Sequence, residues 1–295
     1  MKKPKQLRKH NYLFIQKERN TMAVTMAEIT QLRKLSGAGM MDCKKALEEA
    51  GNDIEKAMEI IRKKGQAVAA KRSDREAAEG CVLVKAENGF GAIIALKCET
   101  DFVAKNEDFV KLAQEILDLA VANKCQTLDE VKALPMGGAT VADAVVDRSG
   151  ITGEKMELDG YAVVEGENIS VYNHQGKNQL CTMVALNKNV DEKYGHAVAM
   201  QIAAMNPRSI NEQDYPADVL AREKEIAADK AREEGKPENM IERIAMGRIN
   251  KLYKEECLLM QEFIQDGKLS VAQFLQQADK ECTVTAFKRF TLRAE

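Results

Sequence analysis

The sequence predicts an α+β protein in which a small helical bundle precedes two related units of hairpin and helix. Apolar residues recur at helical spacing in three short segments between positions 26 and 65. A hairpin followed by a helix occurs twice, over 81–123 and again over 161–205. A charged stretch, 217–253, has a narrow apolar stripe. We therefore expect a three-helix bundle, two duplicated α+β subdomains with antiparallel sheets, and an inserted coiled-coil hairpin.

The composition excludes several classes of protein. The 295 residues are 45% hydrophobic and 31% charged, as in ordinary soluble proteins. The 44 Lys and Arg residues nearly balance the 46 Asp and Glu residues, so the overall charge does not favour binding to nucleic acid. No apolar run reaches the roughly 20 residues that cross a bilayer. Seven unclustered cysteines are typical of a reducing compartment. We expect a cytoplasmic protein with no direct nucleic-acid or membrane contact.

The first 21 residues are rich in Lys and Arg and contain one acid, Glu18. Three interpretations stay open: a basic arm for RNA or membrane, a transit peptide, or an unstructured extension. Met22 and Met26 could each begin the protein. We treat 1–25 as a disordered extension.

Segment 26–65 predicts three short helices with a layout like that of the ubiquitin-associated domain. They are expected over 27–35, 40–50 and 54–65, and Gly51-Asn52 supplies a left-handed helix end. The inward positions are expected to be Ile29, Leu32 and Leu35 in the first helix, Met40, Cys43 and Leu47 or nearby positions in the second, and Ile54, Ala57, Ile60 and Ile61 in the third. Gly65 is expected to end the third helix, and 66–79 to form a separate linker helix.

Two adjacent methionines, Met40 and Met41, begin the second of these helices. Because neighbouring residues lie about 100° apart on a helix, they cannot both face the core. An exposed methionine either contacts a partner or covers the edge of the bundle.

The first α+β subdomain is expected over 80–158. A strand over 81–86 is followed by Asn88-Gly89, whose positive backbone angles suit a two-residue hairpin turn. The returning strand runs over 91–98, and a helix over 108–123. Capping boxes at Thr127 and Thr140 each open a short helix.

The residues Thr100, Asp101, Phe102 and Val103 fall at the corner between this strand and this helix. One interpretation is that Thr100 or Asp101 caps the helix and Phe102 packs into the core. The other is that the corner protrudes as a wedge for a partner protein.

The second subdomain is expected over 159–210 and 254–282, with the hairpin 211–253 inserted. Its strand material over 161–174, turn over 175–178, returning strand over 180–187 and helix over 194–205 repeat the first plan. Its corner, 187–191, contains no phenylalanine. The fold therefore closes without one, which favours the partner interpretation of Phe102.

The last elements complete the plan. The hairpin either pairs with another helix or packs only on itself. A capped helix is expected from Ser270, and a strand over 283–292 within a C-terminal module 283–295.

No short motif indicates an active site. The three histidines lack a Ser, Cys or carboxylate at motif spacing, and the glycines around Phe90 lack the lysine and third glycine of a phosphate loop. We expect a binding protein without covalent chemistry, cofactor or metal.

Two long segments, 32–47 (LRKLSGAGMMDCKKAL) and 98–105 (CETDFVAK), resemble the two signatures of the translation elongation factor Ts family. The order of parts is similar over 26–295. Ser36 stands where the family usually has Thr, and Lys97 where it usually has Asn. The first change keeps the hydroxyl, and the second adds a charge beside the corner.

This resemblance implies a guanine nucleotide exchange factor for the GTPase elongation factor Tu. It implies that Thr100, Asp101, Phe102 and Val103 push into the GTPase domain near its magnesium site. It also implies contacts to the GTPase domain from Met40 and Met41, and a contact to another Tu domain from His174. The hairpin would serve homodimer or partner contacts.

Two other functions remain as alternatives. The bundle alone could act as a ubiquitin- or peptide-binding adaptor, with 80–295 dispensable. Residues 1–21 could bind RNA, although they lack interleaved aromatic residues.

Overall fold

A computed structural model describes residues 23–292. Those residues form two compact units. One contains the described residues up to Ala77 together with Met136–Glu157, and the other contains Ala78–Pro135 and the described residues from Leu158 onward. The predicted α+β class with small antiparallel sheets is confirmed. The expectations for residues 1–22 lie outside the described residues.

The elements follow one another in chain order. The helices are α1 (Met26–Ser36), α2 (Met40–Ala50), α3 (Ile54–Lys71), α4 (Asp101–Ala104), α5 (Glu107–Ala122), α6 (Leu128–Ala133), α7 (Val141–Thr152), α8 (Glu192–Met205), α9 (Ala217–Glu233), α10 (Glu238–Glu256) and α11 (Val271–Gln276). The strands are β1 (Glu79–Glu87), β2 (Phe90–Cys98), β3 (Pro135–Met136), β4 (Ala139–Thr140), β5 (Met156–Glu165), β6 (Asn168–Asn173), β7 (Leu180–Leu186), β8 (Glu262–Phe263), β9 (Asp266–Ser270) and β10 (Val284–Thr291).

Helices α1 to α3 form the predicted bundle around a small core that includes Leu32, Cys43, Leu47 and Ala57, all fully buried. A capping box between Thr25 and Glu28 opens α1. The resemblance of this bundle to the ubiquitin-associated domain stays a prediction.

Two inward positions predicted for the bundle are wrong. Leu35 is 60% exposed. At about 100° per residue, Leu35 lies about 120° around the helix axis from Ile29, whereas the half-buried Ser36 lies about 20° from Ile29. Met40 is 45% exposed, and α2 buries Cys43, Ala46 and Leu47 instead.

Gly65 does not end a helix. Helix α3 continues through it to Lys71, so the linker helix predicted over 66–79 is wrong in its bounds. A Cβ atom added at Gly150 of α7 would lie only 2.2 Å from the Cα atom of Gly65. The two glycines let α3 and α7 touch backbone to backbone, and this contact offsets the roughly 1 kcal/mol that glycine costs inside a helix.

Two three-stranded sheets repeat the same order. The first is β1-β2-β5 and the second is β6-β7-β10, with the returning strand of each hairpin in the centre. Asn88 and Gly89 have φ of 50° and 77°, which confirms the predicted hairpin turn. Helix α5 packs on the first hairpin and α8 on the second. This shared topology agrees with duplication.

The two sheets share a buried core within one compact unit. It contains Val82, Ile93 and Ala95 from the first hairpin and Cys181 and Met183 from the second. All seven cysteines lie in the described part of the chain, and each side chain is buried.

The helical hairpin consists of α9 and α10. Its second arm buries the predicted residues Ile241, Ala245, Ile249 and Leu252, whereas Ile226 on the first arm is 53% exposed. Within residues 23–292, none of the helices is both long and apolar enough to span a bilayer.

The compact units group the elements differently from the predicted domains. Helix α7, expected within 80–158, lies in the same unit as the bundle. Strand β5 crosses the expected boundary at 158 and pairs with β2, and β10 joins the second sheet. The domain boundaries stay a prediction.

Candidate functional site

The corner at Thr100–Val103 is built by two helix caps in succession. The Thr100 hydroxyl oxygen accepts a hydrogen bond from the Val103 amide at 3.4 Å, which opens the single turn α4. The Asn106 side chain then accepts bonds from the Asp108 and Phe109 amides and opens α5. Since each cap redirects the chain, α4 forms a separate turn between β2 and α5.

Phe102 points away from the core. Its side chain is 84% exposed, whereas Phe109, seven residues later, is completely buried. The interpretation that Phe102 packs into the core is therefore wrong. Thr100 is a cap, but of the separate turn α4, whereas Asn106 caps the predicted helix α5. Asp101 and Val103 on either side are half-buried. The corner thus presents one large apolar side chain on a turn that helix caps hold in place.

A charge pair lies in the same turn as Phe102. Lys105 Nζ lies 2.6 Å from Asp101 Oδ2, one helical turn away. This hydrogen bond lowers the pKa of the Asp101 carboxyl and raises the pKa of the Lys105 ammonium. A lowered carboxyl pKa keeps Asp101 charged until the pH falls through that lowered value. At neutral pH the corner therefore carries a paired carboxylate beside the exposed ring.

Lys97 does not add an unpaired charge at the corner. Its ammonium lies 2.8 Å from Asp159 Oδ2 on the neighbouring strand β5. The charge that Lys97 adds relative to the family pattern is thus paired within the first sheet.

The corresponding corner of the second copy is tied to a later segment of the chain. Lys188 pairs with Glu281 at 2.7 Å, and the Asn187 side chain accepts a bond from the Thr283 amide at 2.8 Å. Val190 packs against the core of that half. The duplication therefore leaves one corner with an exposed aromatic side chain, whereas the apolar residue of the other corner, Val190, packs inward.

The methionine pair lies in the compact unit that contains the bundle. Met40 and Met41 open α2 and are 45% and 63% exposed. Their apolar, flexible side chains can adapt to a partner surface.

His174 lies at the turn after β6, in the same compact unit as the corner. Its Nδ1 atom is 3.1 Å from the Tyr172 hydroxyl. Tyr172 was not among the predicted site residues, yet a Tyr-x-His spacing at a strand end places both side chains on one face. Lys105 was not predicted as the partner of Asp101 either.

The structure thus brings Thr100, Asp101, Phe102 and Val103 together in one turn, with Met40 and Met41 in the other unit. No group of three His, Cys, Asp or Glu residues in the described range could hold a metal ion. The arrangement suits protein binding.

Comparisons with known proteins converge on one family. A family model described as elongation factor TS matches residues 99–294. The elongation factor Ts of Phocaeicola vulgatus is 57% identical, over 93% of this chain and all of the relative. Those of Parabacteroides distasonis and Porphyromonas gingivalis are 56% and 55% identical, with the same coverage.

Proposed function

This chain belongs to the elongation factor Ts family of translation elongation factors, and we propose that it is a guanine nucleotide exchange factor for elongation factor Tu. In this proposal it binds Tu with GDP in the cytoplasm, perturbs the Mg²⁺ site of Tu and promotes GDP release. The observation that supports it best is the exposed Phe102 on a capped turn.

The corner supplies a physical route to GDP release. Burying the Phe102 side chain in a pocket of Tu is worth about 1.5–3 kcal/mol, which can offset a local rearrangement of the partner. Mg²⁺ demands near-ideal octahedral oxygen geometry, so small displacements of its surroundings weaken its binding. GDP then loses the charge neutralisation of its phosphates and dissociates faster.

The other proposed contacts spread the interface over both units. Met40 and Met41 contact the GTPase domain, Asp101 lies beside Phe102 near the Mg²⁺ site with Thr100 and Val103 flanking them, and His174 contacts another Tu domain. The helical hairpin contributes a homodimer or partner contact. Binding free energy alone drives the exchange, so the factor performs no covalent step.

A bundle-only adaptor is disfavoured, because the family match covers residues 99–294, beyond the bundle. The elongation factor Ts of Phocaeicola vulgatus aligns with 93% of this chain, far more than the bundle.

Stopped-flow measurement of fluorescent GDP leaving Tu tests the proposal. We expect the release rate to rise with the concentration of this chain and to reach a plateau. Chelating Mg²⁺ before this chain is added should reduce the increase in GDP release rate that the chain causes, since the ion is already lost. A release rate that stays at its spontaneous value with excess chain would contradict the exchange function, and full stimulation after chelation would contradict the Mg²⁺ route.

A further inference from the structure

Tyr172 lies between two imidazole rings. Its hydroxyl is 3.1 Å from Nδ1 of His174, and its ring meets the His174 ring edge to face at 5.8 Å between centroids. The His196 ring packs against Tyr172 in the same manner at 5.5 Å. The tyrosine thus contacts a proposed partner-binding residue with both its hydroxyl and its ring.

The backbone fixes this arrangement. Ser170 and Tyr172 lie two residues apart on β6 and so share one face, against which α8 packs. A Cβ atom at Gly195 would lie 2.0 Å from Ser170 Oγ, so only glycine permits this close approach. The next residue, His196, is thereby held beside the Tyr172 ring.

The turn that carries His174 is also held in place. Asn173 and Asn178 exchange two hydrogen bonds, of 2.6 Å between their side chains and 3.1 Å from the Asn178 amide to the Asn173 side chain. The Asn178 carbonyl accepts a bond from the Val82 amide of the first sheet at 2.7 Å. Gln175 and Asn178 both adopt left-handed φ, of 55° and 56°, so the turn has a specific conformation.

The hydroxyl can select the tautomer of the neutral imidazole. When a tyrosine hydroxyl donates to Nδ1, the neutral ring carries its proton on Nε2. Within residues 23–292, Nε2 of His174 has no hydrogen-bond partner. A half-buried ring held in this tautomer presents one N–H donor to an incoming protein.

We propose that Tyr172 is a positioning residue that holds His174 as an Nε2–H donor for a hydrogen-bond acceptor on elongation factor Tu. This inference rests on the proposed function, which assigns His174 to the Tu interface. Tyr172 acts through His174, and His196 supports the Tyr172 ring from the other side.

The variant Tyr172→Phe tests the proposal, because it removes the hydroxyl and keeps the ring packing. Long-range ¹⁵N–¹H spectra of the free protein should show a single tautomer for His174 in the unchanged chain and a mixture in the variant. The concentration of factor that half-saturates GDP release should rise about 2- to 3-fold, because only the fraction of His174 rings that keep the Nε2–H tautomer can donate. The maximal release rate should not change, because the Phe102 corner is intact.

A double-mutant cycle separates positioning from general structural support. In a His174→Ala background, Tyr172→Phe should have no further effect on half-saturation. The matched control is Tyr161→Phe, which removes a hydroxyl bonded to the Cys125 carbonyl at 2.6 Å. It should leave half-saturation and the His174 spectrum unchanged.

Two results would count against the inference in different ways. An unchanged His174 spectrum with unchanged half-saturation in Tyr172→Phe, or full additivity with His174→Ala, would overturn the role of Tyr172 alone. A chain that leaves GDP release at its spontaneous rate would overturn the proposed function, and this inference with it.

Discussion

Replacing Phe102 with alanine is expected to slow factor-stimulated GDP release from Tu by roughly 10- to 100-fold at subsaturating factor. The estimate follows from the about 1.5–3 kcal/mol that burial of a phenylalanine provides, at about 1.4 kcal/mol per tenfold. The fold should not suffer, because the side chain is 84% exposed before binding. Stopped-flow release of fluorescent GDP measures the rate, and thermal unfolding measures the stability.

Ile264→Ala is the matched control for this variant. Ile264 is also an exposed apolar residue, at 42%, and lies in the same compact unit. Its replacement should leave GDP release unchanged. Equal release rates for the unchanged chain and Phe102→Ala would show that Phe102 is not the wedge.

Gly150→Ala is expected to destabilise the unit that contains the bundle by about 3 kcal/mol. The added Cβ atom would lie 2.2 Å from Gly65 Cα and 3.0 Å from Gly65 N, so the clash involves backbone on both helices. Helices α3 and α7 would have to separate, and overpacking of this kind costs about 1–3 kcal/mol or more. Hydrogen exchange of the α3 amides measures this local opening.

The same substitution at Gly247 should have the opposite sign. Gly247 lies inside α10, and an added Cβ atom there meets nothing within 4 Å. Alanine should therefore stabilise the hairpin by up to about 1 kcal/mol, through helix propensity and a less flexible unfolded chain. Unchanged α3 protection in Gly150→Ala would mean that the glycine contact is not required for packing.

Local sequence signals predicted much of the fold. The bounds of α2 were correct, and so were the capping boxes at Thr127, Thr140 and Ser270 and the Asn88-Gly89 turn. These features depend on hydrogen bonds and backbone angles among residues close together in the chain, so a single sequence is enough to predict them.

The errors arose where the outcome depends on distant residues. Gly65 looks like a helix end until Gly150 is placed against it. Strand β5 pairs with β2 of the first sheet, and the local pattern over 161–174 does not indicate which sheet a strand joins. A cap was expected at Thr100 or Asp101 for the helix that Asn106 opens, and Thr100 instead opens the extra turn α4. Whether Phe102 faces core or solvent depends on how the whole corner packs. The Lys105 and Tyr172 contacts depend on side-chain geometry within the folded corner and turn.

In the proposed function, this chain and GDP oppose each other on elongation factor Tu, since any weakening of GDP binding must be reciprocal. The most direct measurement is capture of Tu by the immobilised chain, with and without excess GDP. We predict specific capture that is lost when GDP is added in excess. Capture that is unaffected by GDP, or no capture of nucleotide-free Tu, would contradict the account.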